Sequence, residues 1–220
     1  MKPNTQDVKQ IQSYFRDVIR DRANEKEQPQ SVVLGLENKD WSMVCTALDV
    51  IVDTNLAIEH FLKTGIEIND KTNEGEKYLR LYGLLNSTYL QQQAIIVIYG
   101  KLTFCNKVVK KLIESLEIRK IRNKIGSHSS DYKHGKESYI VIRHTLSKYT
   151  FIFENNEVKK DGAVEQEFVN LNDLLDEHLK LVVDLLCQLC EVIIKILYKD
   201  KHKQEEELKK LLSLCNNAIL

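Results

Sequence analysis

The sequence predicts a mainly α-helical protein, a helical bundle that carries one small β-hairpin insertion around residues 138–154. Two observations predict the helices. The 220-residue chain contains only 2 Pro, both within the first 30 residues, and only 8 Gly, so few helix-breaking residues interrupt the remainder. A third observation predicts the insertion, because Ser138–His144 and Lys148–Glu154 are rich in β-branched and aromatic residues and lie close together in the chain.

Each predicted helix follows from apolar residues that recur at helical spacing. The first places Val8, Ile11 and Phe15 on one face. The second is expected to begin with Asp40 as its N-cap and to end before Gly65. The third is apolar on nearly every side, which is typical of a central, buried helix. In chain order we expect helices at 5–23, 40–63, 73–101 and 106–125, strands at 138–144 and 148–154, and helices at 170–198 and 204–215.

The sequence contains no internal repeat, no low-complexity tract and no convincing domain boundary. Residues 1–220 are therefore expected to form a single helical domain. Its core is expected at about residues 40–200. An N-terminal helix would occupy 1–30, and a C-terminal helical appendage would occupy 200–220.

Charge and cysteine content exclude several classes of protein. Lys and Arg (32) balance Asp and Glu (32), so a site for a polyanion must be local rather than general. Five Cys, an odd number, do not predict a secreted disulfide framework. Residues 1–21 lack the apolar core of a signal peptide, and charges interrupt the most apolar run, Leu179–Tyr198. We therefore expect a cytoplasmic protein that does not span a membrane.

A local basic segment is the most informative part of the chain. Residues 101–124 contain eight Lys or Arg and two acids, a net charge of +6, which could attract phosphate groups. A lysine-rich helix face is also typical of a merely solvated surface. Arg122 lies among Ile118, Ile121 and Ile125, on the side opposite the apolar face of the preceding turns. Because burial of an unpaired arginine is costly, this pattern favours packing against a second surface, such as another subunit.

Gly126 is expected to end this helix as its C-cap. A continuous helix would place Arg122 and His128 on different faces. If the chain leaves the helix at Gly126, His128 can fold back toward Arg122.

The segment Arg122-Asn123-Lys124-Ile125-Gly126-Ser127-His128 resembles the R-x4–6-H motif of the HEPN superfamily (higher eukaryotes and prokaryotes nucleotide-binding domains). The resemblance implies a HEPN-type helical bundle that forms homodimers. It also implies a metal-independent endoribonuclease site built from Arg and His of both subunits. Some members of the superfamily are toxins or phage-defence proteins, and others have no catalytic role.

The chemistry suits these residue types. RNA cleavage by its own 2′-hydroxyl needs proton transfers, which His128 could perform because imidazole has an ordinary pKa of about 6.5. Arg122 could stabilise the phosphate, since guanidinium donates two parallel hydrogen bonds to it. Asn123 could orient the phosphate or His128, and no metal or cofactor is required. Additional phosphate contacts are expected from Arg119, Lys120, Lys124 and Ser127.

A second hypothesis is a non-catalytic HEPN-like module that binds a nucleotide, RNA or a protein partner such as an antitoxin.

Several other residues are more typical of ordinary structural roles. Cys187 and Cys190 are interpreted as small hydrophobic core residues. His128, Asp131 and His134 form a weak metal-ligand pattern without a fourth ligand. Tyr78, Tyr82 and Tyr89 could stack on bases but are more typical of a core or an interface, and Gln91, Gln92 and Gln93 could form a polar interface patch.

Overall fold

A computed structural model of the chain describes residues 3–67, 73–103, 106–127, 132, 137–155 and 164–219. The helices are α1 (Thr5–Glu25), α2 (Gln30–Val33), α3 (Asn38–Thr64), α4 (Glu74–Leu102), α5 (Asn106–Ser115), α6 (Glu117–Ile121), α7 (Leu171–Leu197) and α8 (Lys201–Ile219). A π-helical turn, Arg122–Ser127, continues α6, and a short 3-10 helix covers Arg143–Thr145. The strands are β1 (Tyr139–Val141), β2 (Thr150–Asn155) and β3 (Glu165–Asn170).

The mainly α class with a small β insertion is confirmed. The predicted hairpin is present as the antiparallel pair β1–β2, and β3 extends it to a three-stranded sheet in the order β1-β2-β3. Phe151 and Phe153 of β2 and Val169 of β3 are buried on one face of this sheet. The predicted loop at 155–162 lies, apart from Asn155, outside the described residues.

The chain groups into two compact units. Unit 1 comprises residues 1–55, 90–113 and 179–220, and unit 2 comprises residues 56–89 and 114–178. Helices α3, α4 and α7 each contribute residues to both units. The single-domain boundaries expected from the sequence stay a prediction.

In unit 1, α1 begins where its sequence contains a complete N-terminal cap. The Asn4 Oδ1 accepts hydrogen bonds from the backbone N–H groups of Gln6 (2.8 Å) and Asp7 (3.3 Å). The Asp7 carboxylate accepts a hydrogen bond from the Asn4 N–H at 2.7 Å. These reciprocal bonds satisfy donors that a helix start otherwise leaves unpaired. The apolar face predicted for this helix is buried, including Val8, Ile11 and Phe15.

The last helix, α8, packs on α1 within unit 1. The Tyr14 hydroxyl of α1 donates to the Glu207 carboxylate at 2.8 Å and lies 2.9 Å from the Glu207 backbone oxygen. A disulfide joins Cys187 of α7 to Cys215 of α8. The side chain of Leu211 is also buried in this packing.

In unit 2, the end of α3 is tied to the sheet. Gly65 adopts a φ of +73°, which confirms its predicted role after the last helical residue. The following Ile66 N–H donates to the Lys148 carbonyl at 2.8 Å. The Tyr149 hydroxyl donates to the Leu62 carbonyl at 2.9 Å. The strand β2 therefore begins at a fixed position relative to the end of α3.

The helix expected at 106–125 is broken. Leu116 has a ψ of 134°, which is extended rather than helical, and separates α5 from α6. This break accounts for the change of apolar face seen in the sequence. Val109 and Ile113 are buried before the break, and Ile118 and Ile121 are buried after it.

Among the described helices, α3 meets the length and composition criterion for crossing a membrane. The core helix of a water-soluble protein meets the same criterion, so this property alone assigns no location. The most apolar run predicted from the sequence, Leu179–Tyr198, lies almost entirely in α7 instead.

Candidate functional site

The candidate site is built on the π-helical turn Arg122–Ser127, which follows α6 without a break. A π turn contains one more residue than the corresponding α turn, and such turns occur frequently at functional sites. The positive-φ glycines of the described chain are Gly35 and Gly65, so Gly126 does not have the left-handed conformation of a C-cap. The prediction that the chain leaves the helix at Gly126 is therefore wrong. The helix continues to Ser127.

His128 lies outside the described residues, and so does the side chain of Ser127. The expected approach of His128 to Arg122 therefore stays a prediction. Asp131 and His134, the other members of the weak metal pattern, also lie outside the described residues.

Two guanidinium groups lie against one aromatic ring. The guanidinium carbon of Arg122 is 3.9 Å from the ring centroid of Tyr89, and that of Arg119 is 4.1 Å from the same centroid. Tyr89 belongs to α4 and is half-buried. A cation over an aromatic face is attracted by the ring quadrupole, which helps to offset the repulsion between two like charges. The spacing of three residues along α6 and the π turn places both arginines on this ring.

The environment of Arg119 is partly desolvated. Burial lowers its pKa from the ordinary value, the charge of Arg122 acts in the same direction, and Tyr89 and Glu114 oppose the change. A lowered pKa means that the charged guanidinium is held in a less favourable setting than water provides. An anion placed beside the pair would restore favourable electrostatics.

Arg122 has no carboxylate partner at salt-bridge distance among the residues that the structure describes. Its Nη1 donates a hydrogen bond of 3.3 Å to the Asn123 Oδ1, which is a neutral acceptor. Ile118, Ile121 and Ile125 are buried within the chain itself. The second surface expected to cover these isoleucines is therefore supplied by the chain itself, and packing against another subunit stays a prediction. Arg122 is accommodated among isoleucines by Tyr89 and Asn123.

The two predicted lysines already have acidic partners. The Lys124 Nζ lies 2.5 Å from the Glu167 Oε1, and its side chain is only 17% exposed. The same ammonium lies 5.2 Å from the ring centroids of Tyr139 and Phe153. Lys124 thus links the π turn to the sheet.

Lys120 forms an exposed ion pair of 2.9 Å with Glu117, and this hydrogen bond raises the pKa of Lys120. Of the cations predicted to bind phosphate, Arg119 and Arg122 are therefore the two that the structure brings together.

Tyr89 was not assigned to the site from the sequence, where it was one of three tyrosines at helical spacing. Tyr78 and Tyr82 form a separate pair, with ring centroids 5.8 Å apart. The predicted glutamine patch is divided as well. Gln91 and Gln92 are buried, and the Gln91 Nε2 donates to the Ile51 carbonyl at 3.4 Å. Tyr89 differs from Tyr78 and Tyr82 in its contact with the two arginines, and the helical spacing of the tyrosines cannot show that contact.

The cysteine predictions have mixed outcomes. Cys190 is a buried thiol, which confirms its interpretation as a core residue. Cys187 is bonded to Cys215, so the interpretation of Cys187 as an unmodified hydrophobe is wrong. Within the described ranges, no group of three or more His, Cys, Asp or Glu residues is arranged to hold a metal ion.

No family model, characterised protein or solved structure matches the chain.

Proposed function

We propose that this chain is a HEPN-like, metal-independent endoribonuclease that acts as a homodimer in the cytoplasm, as a toxin or phage-defence component. The observation that carries the proposal is the pair Arg119 and Arg122 on the ring of Tyr89, with no carboxylate bound to Arg122 among the described residues. The resemblance of residues 122–128 to the R-x4–6-H motif supplies the reaction.

A phosphodiester is the anion that fits this pair best. A guanidinium is planar and can donate two parallel hydrogen bonds to two phosphate oxygens. Two adjacent guanidiniums can also stabilise the additional negative charge that develops when the 2′-oxygen attacks phosphorus. Arg122 is half-buried and has a neutral hydrogen-bond partner, and no carboxylate of the described residues screens its charge. Its effect on a bound phosphate is correspondingly larger.

In the proposed reaction, His128 removes the proton of the 2′-hydroxyl. The symmetry-related His128 of a homodimer protonates the departing 5′-oxygen. The products would then carry a 2′,3′-cyclic phosphate and a free 5′-hydroxyl. Asn123 positions Arg122 through the hydrogen bond from Nη1. No step uses a metal ion.

Cleavage of single-stranded RNA in the presence of EDTA tests this proposal. Arg122→Ala should lower the cleavage rate by about 10²- to 10³-fold, because it removes charge stabilisation in the transition state. His128→Ala should lower it by about 10²- to 10⁴-fold, because it removes a proton-transfer group. Arg20→Ala is the matched control, since Arg20 is an exposed arginine of unit 1 paired with Asp17, and its cleavage rate should stay unchanged.

The non-catalytic module remains the second candidate, because the same arginine pair could bind phosphate without cleaving it. Filter binding of an intact RNA separates the two. Binding that is lost in Arg122→Ala, with no cleavage by the wild-type protein, assigns the module. Cleavage that appears only after a divalent metal is added contradicts the metal-independent reaction. A protein that is strictly monomeric at working concentration contradicts the composite site.

A further inference from the structure

A disulfide joins two helices of unit 1. Cys187 of α7 and Cys215 of α8 are 28 positions apart in the chain, and their Cα atoms are 6.5 Å apart. Both residues are buried, at 8% and 7% exposure. Disulfides are uncommon in cytoplasmic proteins, where they are usually transient or redox-sensing.

The two halves of α8 are held differently. The beginning is fixed by Asp200, whose carboxylate accepts hydrogen bonds from the N–H groups of His202 (2.8 Å) and Lys203 (3.1 Å). The Gln204 side chain also donates to the Tyr198 carbonyl at 3.0 Å. The middle is held by the contact of Glu207 with Tyr14.

Beyond Glu207, few of the side chains that the structure describes hold the helix. Among the side chains that the structure describes in this half, Leu211 and Cys215 are the buried ones. Lys209, Lys210, Leu212 and Ser213 are exposed. An isolated helix of this length is marginal in water, so its order depends on packing. The disulfide is accordingly a principal attachment of the second half of α8.

We propose that the Cys187–Cys215 disulfide is a thiol-reversible clip that controls whether the second half of α8 stays packed in unit 1. An external dithiol reduces it in two steps. One thiolate attacks a sulfur of the pair and forms a mixed disulfide, and the second thiol of the reagent then displaces the protein sulfur. Two electrons and two protons pass to Cys187 and Cys215, and the reagent leaves as its own disulfide.

The neighbouring thiol does not compete in this exchange. Cys190 follows Cys187 by three positions on α7, but it is buried, and its Sγ lies 3.8 Å from the Ile11 carbonyl oxygen. Burial raises the pKa of the Cys190 thiol, so it stays protonated, and the thiolate is the form that attacks a disulfide. Cys190 therefore does not exchange with the pair, and the clip has two states, closed and open. This inference does not depend on the nuclease proposal.

Thiol counting tests whether the bond forms. The full chain is expressed, purified without reductant, denatured and alkylated with a maleimide reagent before and after treatment with dithiothreitol. Reduction should add two labels per chain, and these should map to Cys187 and Cys215. An equal number of labels before and after reduction, even following incubation with oxidised glutathione, overturns the proposal.

Limited proteolysis tests what the bond does. Cleavage within residues 208–215 should be at least about tenfold faster in the reduced wild-type protein than in the oxidised one, because cleavage tracks the open population. Reoxidation with oxidised glutathione should restore resistance. Cys215→Ser should behave as the reduced protein does under both conditions, and Cys45→Ser, which removes a free thiol, should behave as wild type. Equal cleavage rates of oxidised and reduced wild-type protein overturn the clip, whether or not either variant folds.

Discussion

Tyr89 is the residue on which the proposed phosphate site depends most directly, because both guanidinium groups lie within about 4 Å of its ring. Tyr89→Leu removes the aromatic face, and a cation–π contact contributes about 0.5–2 kcal/mol. We expect RNA affinity to fall by about two- to thirtyfold, which corresponds to that range. Tyr89→Phe keeps the ring and should stay within about threefold of wild type, the effect of losing one modest hydrogen bond. Fluorescence anisotropy with a labelled RNA measures both.

The comparison of Tyr89→Leu with Tyr89→Phe separates the effect of the aromatic ring from the effect of the hydroxyl group. If Tyr89→Leu and Tyr89→Phe bind RNA as tightly as wild type, the ring does not position the arginines. Thermal unfolding of both variants is the control, since a half-buried residue also contributes to packing.

The sequence identifies charged residues in this region but not their partners. Lys124 looks like a phosphate ligand because it lies in a basic segment, yet its partner Glu167 is 43 positions away along the chain. Tyr89 lies 33 positions before Arg122, so its contact with the arginines leaves no local pattern. Helical periodicity predicts which face of a helix is buried, but it does not predict which residues cover that face. The proposed roles of Arg122, Asn123 and His128 therefore still rest on the motif.

At the scale of elements, most predictions succeed where an apolar period is long and fail where it is short or misaligned. The helices at 5–23, 73–101 and 170–198 are confirmed within about two residues at each end, a normal uncertainty for helix termini. The break at Leu116 coincides with the change of apolar face in the sequence, but a helical wheel with a constant angle per residue cannot locate a break. Strand β3 was missed because its sequence, EQEFVN, is mostly polar, and its burial comes from pairing with β2.

Gly65 offers a sharp test of how α3 is joined to the sheet. A Cβ at this position would meet the Lys148 carbonyl oxygen and lie 2.6 Å from the Lys148 Cγ, in addition to the strain of a φ of +73°. We expect Gly65→Ala to lower the free energy of unfolding by about 3 kcal/mol or more, the sum of left-handed strain and overpacking. Urea denaturation monitored by circular dichroism measures the loss.

Gly35 is the matched control for this substitution. Its φ is +66°, but no atom lies within 4 Å of the position of an added Cβ. Gly35→Ala should therefore cost only the conformational part, about 1–2 kcal/mol. Equal losses in the two variants would show that the carbonyl of Lys148 does not restrict Gly65, and would contradict the described attachment of the sheet.

For the whole molecule, the sequence predicts the class but not the grouping into units. A chain that contains only 2 Pro and repeats its apolar residues at helical spacing is predicted to form long helices. The two compact units leave no trace in composition, because α3, α4 and α7 run through both and no polar linker separates them. The disulfide between α7 and α8 could not be predicted either, because the partner of Cys187 cannot be chosen from five cysteines by spacing alone.

His178 makes the stability of the fold dependent on pH. It is fully buried in α7, and burial lowers its pKa from the ordinary 6.5 to about 4. Between pH 6.5 and 4 the unfolded chain binds a proton at this imidazole and the folded chain does not, so stability must fall as the pH falls. The stabilisation is fully present above pH 6.5, and a lowered pKa of this size corresponds to a loss of about 3 kcal/mol by pH 4.

His178→Gln removes the titrating group and should therefore flatten this dependence, whatever it does to stability at neutral pH. The measurement is the free energy of unfolding in urea at several pH values between 7 and 4. His202→Gln is the control, because the His202 side chain is 82% exposed and its substitution should leave the slope unchanged. If His178→Gln loses as much stability as wild type between pH 6.5 and 4, protonation of other groups, such as carboxylates in ion pairs, governs the acid response of the fold.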